Sequence, residues 1–230
     1  MTSVDAVSSD NYTSNYHVEL IHSGKIYFDL LSELIKKAKK SIHIQTYIFS
    51  EDDTGNMIVY ALENAVKRGV EVYLLADGYA SRDLSKKFIA QLKIIGINFR
   101  FFEPFFKTNH FYFGRRLHHK VVVVDTKYAL VGGLNIANHY NDLPNKPSWL
   151  DFALYVEGEI AQQLCVLCWK TWKGFPINAD KILCEKIRID LSIPKEKLIE
   201  ISMRRNDWIK SKNEISRTYI KMLQIGRAHV

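Results

Sequence analysis

RRLHHKVVVVDTKYALVGGLNIANHY, residues Arg115 to Tyr140, decides how this chain reads. Val121 to Val124 is a continuous apolar, β-branched run bounded by polar residues, which predicts a short strand buried on both faces. Asp125-Thr126-Lys127 then joins it to a second short strand, Tyr128 to Val131, as a hairpin connection does. Side chains alternate faces along a strand, so a two-residue offset aims the His118 imidazole and the Lys120 ammonium into one space and sends His119 to the other side. Gly132 and Gly133 follow the second strand. Lacking Cβ, they let backbone approach a bulky anion, and Asn135 offers an amide donor beside them. A nucleophilic imidazole, a fixed cation and open backbone suit phosphoryl transfer with no metal and no cofactor.

Taken singly, each residue has a plainer explanation. A histidine near an apolar strand is commonly packed or merely exposed, a lysine at a strand end is commonly solvated, and a glycine pair is commonly a turn. The conjunction is what points to chemistry. His, one residue, Lys, four residues, Asp, then Gly-Gly, one residue, Asn resembles the signature of the phospholipase D superfamily. FSEDDTGNMI, RGVEVYLLADGYAS, GINFRFFEP, ALVGGLNIAN and WLDFALYVEGEIA are similar, in order, to the N-terminal half of bacterial cardiolipin synthases, from about Tyr16 to Trp172.

The resemblance implies that His118 attacks a phosphodiester phosphorus and forms a phosphohistidine that an acceptor alcohol releases. It implies that Lys120 and Asn135, with Gly132 and Gly133, hold the phosphate oxygens, and that Asp125 orients or tunes the histidine indirectly. Asp125 lies seven residues beyond His118, an odd offset that faces away in a straight strand, so its contact with the site would depend on the bend that follows. Relatives of this type use two such motifs, one histidine attacking and the other protonating the leaving oxygen. Only one is present here, so a second set is expected either further along the natural polypeptide or on a second copy in a homodimer.

The C-terminal part supports the first of these. HVELIH, His17 to His22, is a strand-like stretch followed by helical spacing at Tyr27, Leu30, Leu31, Leu34, Ile35 and Ala38. IEISM, Ile199 to Met203, followed by Ile215, Tyr219, Ile220 and Leu223, begins the same way, as though a second copy were starting. The last six residues, Ile225 to Val230 (IGRAHV), do not continue that pattern and resemble the translation of a short-read sequencing adaptor. The expected organisation is therefore a loose terminus over 1–15, a catalytic domain over 16–178, an inter-domain segment and the start of a second domain over 179–224, and an extraneous 225–230.

Composition agrees with a packed enzyme domain: 47% hydrophobic residues over 230 positions is ample for a core. No run reaches the roughly 18 apolar residues of a membrane span, so the chain is expected to be cytoplasmic and peripheral to the inner face of the membrane. Of the net charge of +7, the stretch from Ala179 to Val230 carries 12 Lys or Arg against 7 Asp or Glu, a basic surface suited to anionic headgroups or nucleic acid. Arg115 and Arg116 stand among Phe111, Tyr112 and other aromatics, a mixture that fits a lipid interface. Three cysteines, an odd count, argue against a disulfide framework and for a reducing compartment, and Cys165 and Cys168 read as core residues of a helix.

Elsewhere strand and helix alternate. Ser41 to Phe49 reads as a strand, Met57 to Val66 as a helix closed at Gly69, Val70 to Leu75 as a strand, about Asp83 to Ile95 as a helix closed at Gly96, and Ile97 to Phe102 as a strand. The fold expected is a layered α/β/α domain with a mixed, largely parallel sheet. Three functions compete: a phosphatidyl transferase acting on phosphatidylglycerol-like lipid, a metal-independent phosphodiesterase or nuclease working as a single-motif dimer, and an inactive basic binding module.

Overall fold

The computed structural model describes residues 12–102, 116–144, 146–173, 184–190, 192–206 and 213–227. In chain order these form β1 (Tyr12–Ile21), α1 (Gly24–Lys37), β2 (Ser41–Thr46), α2 (Asp53–Lys67), β3 (Glu71–Asp77), α3 (Lys86–Ile95), β4 (Asn98–Phe102), β5 (Lys120–Val124), β6 (Tyr128–Gly132), β7 (Ala153–Gly158), α4 (Glu159–Lys173), β8 (Ile199–Ser202) and α5 (Glu214–Arg227). Local chemistry sets the helix ends. Asp52 caps α2 by accepting from the Gly55 N–H, Ser85 caps α3 by accepting from the Phe88 N–H, and α3 stops at Gly96, whose φ of 98° suits glycine.

The strands build one sheet in the order β4-β3-β2-β5-β6-β7-β1-β8. One face is covered by α1, α2 and α3, which bury Phe28, Leu31, Ile35, Ile58, Leu62, Phe88 and Leu92 against Ile42, Ile44, Val72, Val122 and Val124. The other is covered by α4, which packs Ile160, Leu164, Cys165, Cys168 and Trp169 on Val121, Val123, Ala129 and Val156. Each of the Val, Leu, Ile and Phe side chains among these contributes roughly 1.5–3 kcal/mol relative to exposure. All five residues of β5 are buried, as a run of valines between two helical layers requires.

The layered α/β/α architecture and the mixed sheet are as expected, but the sheet is not largely parallel. Among the described strands only β2–β3 and β3–β4 pair in parallel. The pairs β2–β5, β5–β6, β6–β7, β7–β1 and β1–β8 are antiparallel. The hairpin at Asp125–Lys127 makes β5–β6 antiparallel, since a short turn can only return the chain alongside itself, whereas the parallel neighbours β2–β3 and β3–β4 are joined by the crossover helices α2 and α3.

Register then sorts the residues into two edges. Gln45 pairs with Val121, Lys120 with Gly132, and Gly132 with Ala153, so the ends of β2 and β6 and the starts of β5 and β7 share one edge. Ile42 pairs with Val124, Val124 with Tyr128 and Tyr128 with Glu157 at the opposite edge.

Two further expectations are revised. Tyr12 to Asn15 are not loose; they pair with Ile199 to Ser202, the stretch expected to open a second domain. Residues 1–11 lie outside the described residues. Helix α5 spans Glu214–Arg227 and so takes in the first three residues of the stretch expected to be extraneous. Cys165 is bonded to Cys184, with Cα atoms 6.1 Å apart, leaving Cys168 as a buried free thiol. An odd count excludes full pairing but not a single bridge, and the partner arrives from 19 residues away as the chain folds back over α4.

Candidate active site

His118, Lys120, Gly132, Gly133 and Asn135 all lie at the first of these edges. His118 is exposed, its ring centroid 5.2 Å from that of Tyr47. Lys120 is 9% exposed, and its Nζ donates to the His118 main-chain carbonyl at 2.8 Å and sits 5.4 Å from the Tyr47 ring centroid. The two side chains thus share a space with Tyr47, as the two-residue offset predicts. Burial pushes the Lys120 ammonium below its ordinary pKa, and the Asp151 carboxylate pulls the other way. A desolvated cation beside an accessible imidazole is what a developing phosphorane charge would meet.

His119 points to the opposite face. Its Nε2 lies 2.6 Å from Gln45 Oε1, whose amide nitrogen donates to the Cys168 carbonyl at 2.8 Å inside the α4 layer. Burial, followed by the positive charges of Arg205, Lys120 and His118, pushes the His119 pKa down to about 4. His119 is thus half-buried on the α4 side of the sheet, tied to Gln45 rather than to the space shared by His118 and Lys120.

The glycines have specific reasons to be glycine. A Cβ on Gly132 would lie 2.3 Å from the Phe152 carbonyl oxygen, and a Cβ on Gly133 would lie 1.9 Å from Asp151 Oδ1. Gly133 therefore admits the Asp151 carboxylate to the site rather than leaving a vacant cradle. Asn135 is 2% exposed, and its Oδ1 accepts from the Ile48 N–H at 2.9 Å, which turns the donor end of the amide the other way.

Asp125 belongs to the opposite edge. Its carboxylate accepts from the N–H groups of Lys39, Lys40 and Ser41 at 2.9, 2.8 and 3.0 Å. Lys120 to Asp125 spans five residues of extended chain, about 17 Å. Its motif position comes from clamping the α1–β2 turn to the β5–β6 hairpin, and the expected tuning of His118 does not follow. Arg116 is described and stacks on Tyr79, its guanidinium carbon 4.7 Å from the ring centroid; Arg115, Phe111 and Tyr112 lie outside the described residues. Among the described residues no three His, Cys, Asp or Glu side chains converge as a metal site.

Sequence reasoning missed three contributors. Tyr47 follows β2 and forms the wall on which His118 and Lys120 rest. Asp151 enters from the segment before β7. Asp77, 1% exposed at the end of β3, accepts from Tyr79 N–H and Ala80 N–H on one oxygen and from Leu117 N–H on the other, at 2.8 to 3.0 Å. A carboxylate ending the apolar run of β3 was a legible signal for the last of these.

Comparison with known proteins identifies the family and the fold. The family model "Cardiolipin synthase, PLD-like domain" matches residues 31–145. Cardiolipin synthase B of Escherichia coli strain K12 is 30% identical over 218 residues, covering 93% of this chain and 52% of the relative, so the chain spans about half the length of the curated relatives it matches. The cardiolipin synthase of Oceanobacillus iheyensis is 36% identical over 154 residues, 66% of this chain and 32% of that one. The crystal structure of the phospholipase D family member Nuc from Salmonella typhimurium superposes with a TM-score of 0.52 at 23% identity over 68% of this chain and 94% of that one, a likeness of fold.

Proposed function

Because the chain belongs to the cardiolipin synthase, phospholipase D-like family, we propose that it is one catalytic half of a phosphatidyl transferase acting on anionic, phosphatidylglycerol-like lipid. The observation that carries this is the exposed His118 beside the desolvated Lys120 at one sheet edge. A ring nitrogen of His118 attacks the phosphodiester phosphorus. A P–N bond forms, the P–O bond to the leaving glycerol breaks, and that oxygen takes a proton from the histidine of a second His-Lys-Asp set. An acceptor alcohol then returns a proton to that histidine as its oxygen displaces His118 from phosphorus. Lys120 and the Asn135 amide hold the non-bridging oxygens, where charge accumulates in both steps. Asp151 keeps Lys120 charged against the cost of burial.

The second set resides in a further domain of the same polypeptide or in a second copy. Two features support this: the relatives' greater length, and the antiparallel pairing of β8 with β1, the pairing a two-fold relation between repeats produces. Among the described residues no helix is long and apolar enough to cross a membrane. Attachment at the inner membrane face is proposed through Trp149, Leu150 and Phe152, which are 63%, 79% and 46% exposed and lead into β7 at the site edge.

Vesicles of phosphatidylglycerol test the reading. In a polypeptide or dimer that carries both His-Lys-Asp sets, transfer predicts cardiolipin formation that disappears in His118→Ala. Metal-independent nicking of single-stranded DNA, with no lipid product, would move the assignment to a nuclease.

A further inference from the structure

His118 stands outside the ladder that could have held it. Strand β5 begins at Lys120, paired with Gly132, so the histidine lies two residues before the first register pair. Two contacts hold the main chain there. Lys120 Nζ donates to the His118 carbonyl at 2.8 Å, and one residue earlier the Leu117 N–H donates to Asp77 Oδ2 at 2.8 Å.

Asp77 does more than its own turn requires. At the end of β3, its Oδ1 accepts from the Tyr79 and Ala80 N–H groups at 2.9 and 3.0 Å, a local arrangement that Asn or Ser would satisfy with a single oxygen. The second oxygen reaches a residue 40 positions away, Leu117. An ionised carboxylate accepts on both oxygens and so serves both ends. Asp77 and Leu117 are each 1% exposed, so water does not replace either partner.

The same turn holds the wall of the site. The Ser81 N–H donates to the Asp77 carbonyl at 3.0 Å, and the buried Ser81 Oγ accepts from the Phe49 N–H at 2.9 Å and donates to the Tyr47 carbonyl at 3.1 Å. Tyr47 carries the ring whose centroid lies 5.2 Å from that of His118. The turn from Asp77 to Ser81 therefore grips both partners of that ring contact, the histidine through Leu117 and the tyrosine through its own carbonyl.

We propose that Asp77 and Ser81 are positioning residues for the nucleophile, fixing the His118 imidazole against Tyr47 from the end of β3. The inference rests on His118 as the attacking group. Attack needs the ring nitrogen about 3–3.5 Å from phosphorus and in line with the leaving oxygen, and a shift of about 1 Å lowers the rate. Lys120 belongs to β5 and keeps its place without Asp77, so phosphate binding is spared when positioning is lost.

Asp77→Asn isolates this role. The amide keeps one acceptor for the Tyr79 and Ala80 N–H groups and turns its nitrogen toward the Leu117 N–H, donor against donor. Reaction of the 230-residue chain with bis(p-nitrophenyl) phosphate, at a temperature where circular dichroism shows the variant folded, gives a maximal labelling rate and a half-saturating concentration. The maximal rate should fall roughly tenfold to a hundredfold, with half-saturation within twofold of the parent. In proton–carbon correlation spectra of the chain with isotope-labelled histidine, the ring resonance that disappears in His118→Ala should move in Asp77→Asn toward the position of a free histidine, as the Tyr47 ring ceases to shift it. An unchanged maximal rate, a loss confined to half-saturation, or an unmoved His118 resonance would overturn the positioning role and leave His118 as the nucleophile. A parent that is not labelled at all would instead remove the nucleophile, and the resonance would still decide whether the turn holds the ring. If Asp77→Asn does not fold, Ser81→Ala, which cuts the turn from Tyr47, should lower the maximal rate and move the same resonance; a variant matching the parent in both would overturn the proposal.

Discussion

Asp125→Asn and Asp125→Ala separate scaffold from chemistry at the motif's last residue. The carboxylate accepts three successive N–H groups, and two of those bonds are exposed, so water replaces the lost acceptor and each bond contributes about 1 kcal/mol. Asp125 also sits at φ 51°, a left-handed conformation that Asn adopts readily and that costs Ala on the order of 1 kcal/mol more. Asparagine keeps the conformation and one acceptor, so its cost should be about 1–2 kcal/mol, and alanine's about 3–4 kcal/mol. At roughly 2–4 °C per kcal/mol for a chain of this size, melting should fall by about 2–8 °C and about 6–16 °C. Melting followed by circular dichroism gives these values. In parallel, labelling of the protein by a p-nitrophenyl phosphodiester, well below the melting range, reports on His118, because p-nitrophenolate leaves without a proton donor. Asp125→Asn should label within twofold of the parent. Unchanged melting with labelling abolished would mean that Asp125 acts on the nucleophile, and would refute the edge-to-edge separation.

Gly133→Ala places a Cβ 1.9 Å from Asp151 Oδ1 and must displace that carboxylate; a misplacement of about 1 Å near the chemistry should slow labelling roughly tenfold to a hundredfold with little loss of melting temperature, and equal rates would remove Asp151 from the site. Burial lowers the His43 and His119 pKa values to about 4. The unfolded chain takes up these protons near pH 6.5 and the native protein only near pH 4, so stability falls across that window, by at most about 1.4 kcal/mol per pH unit for each histidine. Urea midpoints at pH 7.5, 6 and 5 should show the decline, and His119→Gln should flatten it; a pH-independent midpoint would contradict the buried neutral assignment. Removing the Cys165–Cys184 bond with Cys184→Ser should cost about 3 kcal/mol for a loop of this length, and a thiol count of three in denaturant without reductant would show that the bond is absent.

What was legible in the sequence follows periodicity and short offsets. The valines of β5 and the two-residue spacing of His118 and Lys120 placed both side chains in one space, and the same alternation excluded His119. The odd offset of Asp125 pointed away from the site, which is where its carboxylate lies. Strand direction was harder to read. The alternation of helix and strand through β2, α2, β3, α3 and β4 suggested a mixed, largely parallel sheet, yet parallel pairing is confined to those three strands, and β5, β6, β7, β1 and β8 join antiparallel. Tyr47, Asp77 and Asp151 reach the site from β2, β3 and the approach to β7, and contacts of that range leave no periodic trace. Cys184 likewise meets Cys165 only because the chain returns across α4.

The central claim is that His118 is the nucleophile. Brief reaction of the chain with bis(p-nitrophenyl) phosphate, followed by mass spectrometry of peptides kept at alkaline pH, tests it most directly. The account predicts a base-stable, acid-labile phosphoryl adduct on His118, released with a matching burst of p-nitrophenolate and absent from His118→Ala. An adduct on His119 or elsewhere, or a burst that survives His118→Ala, would contradict it.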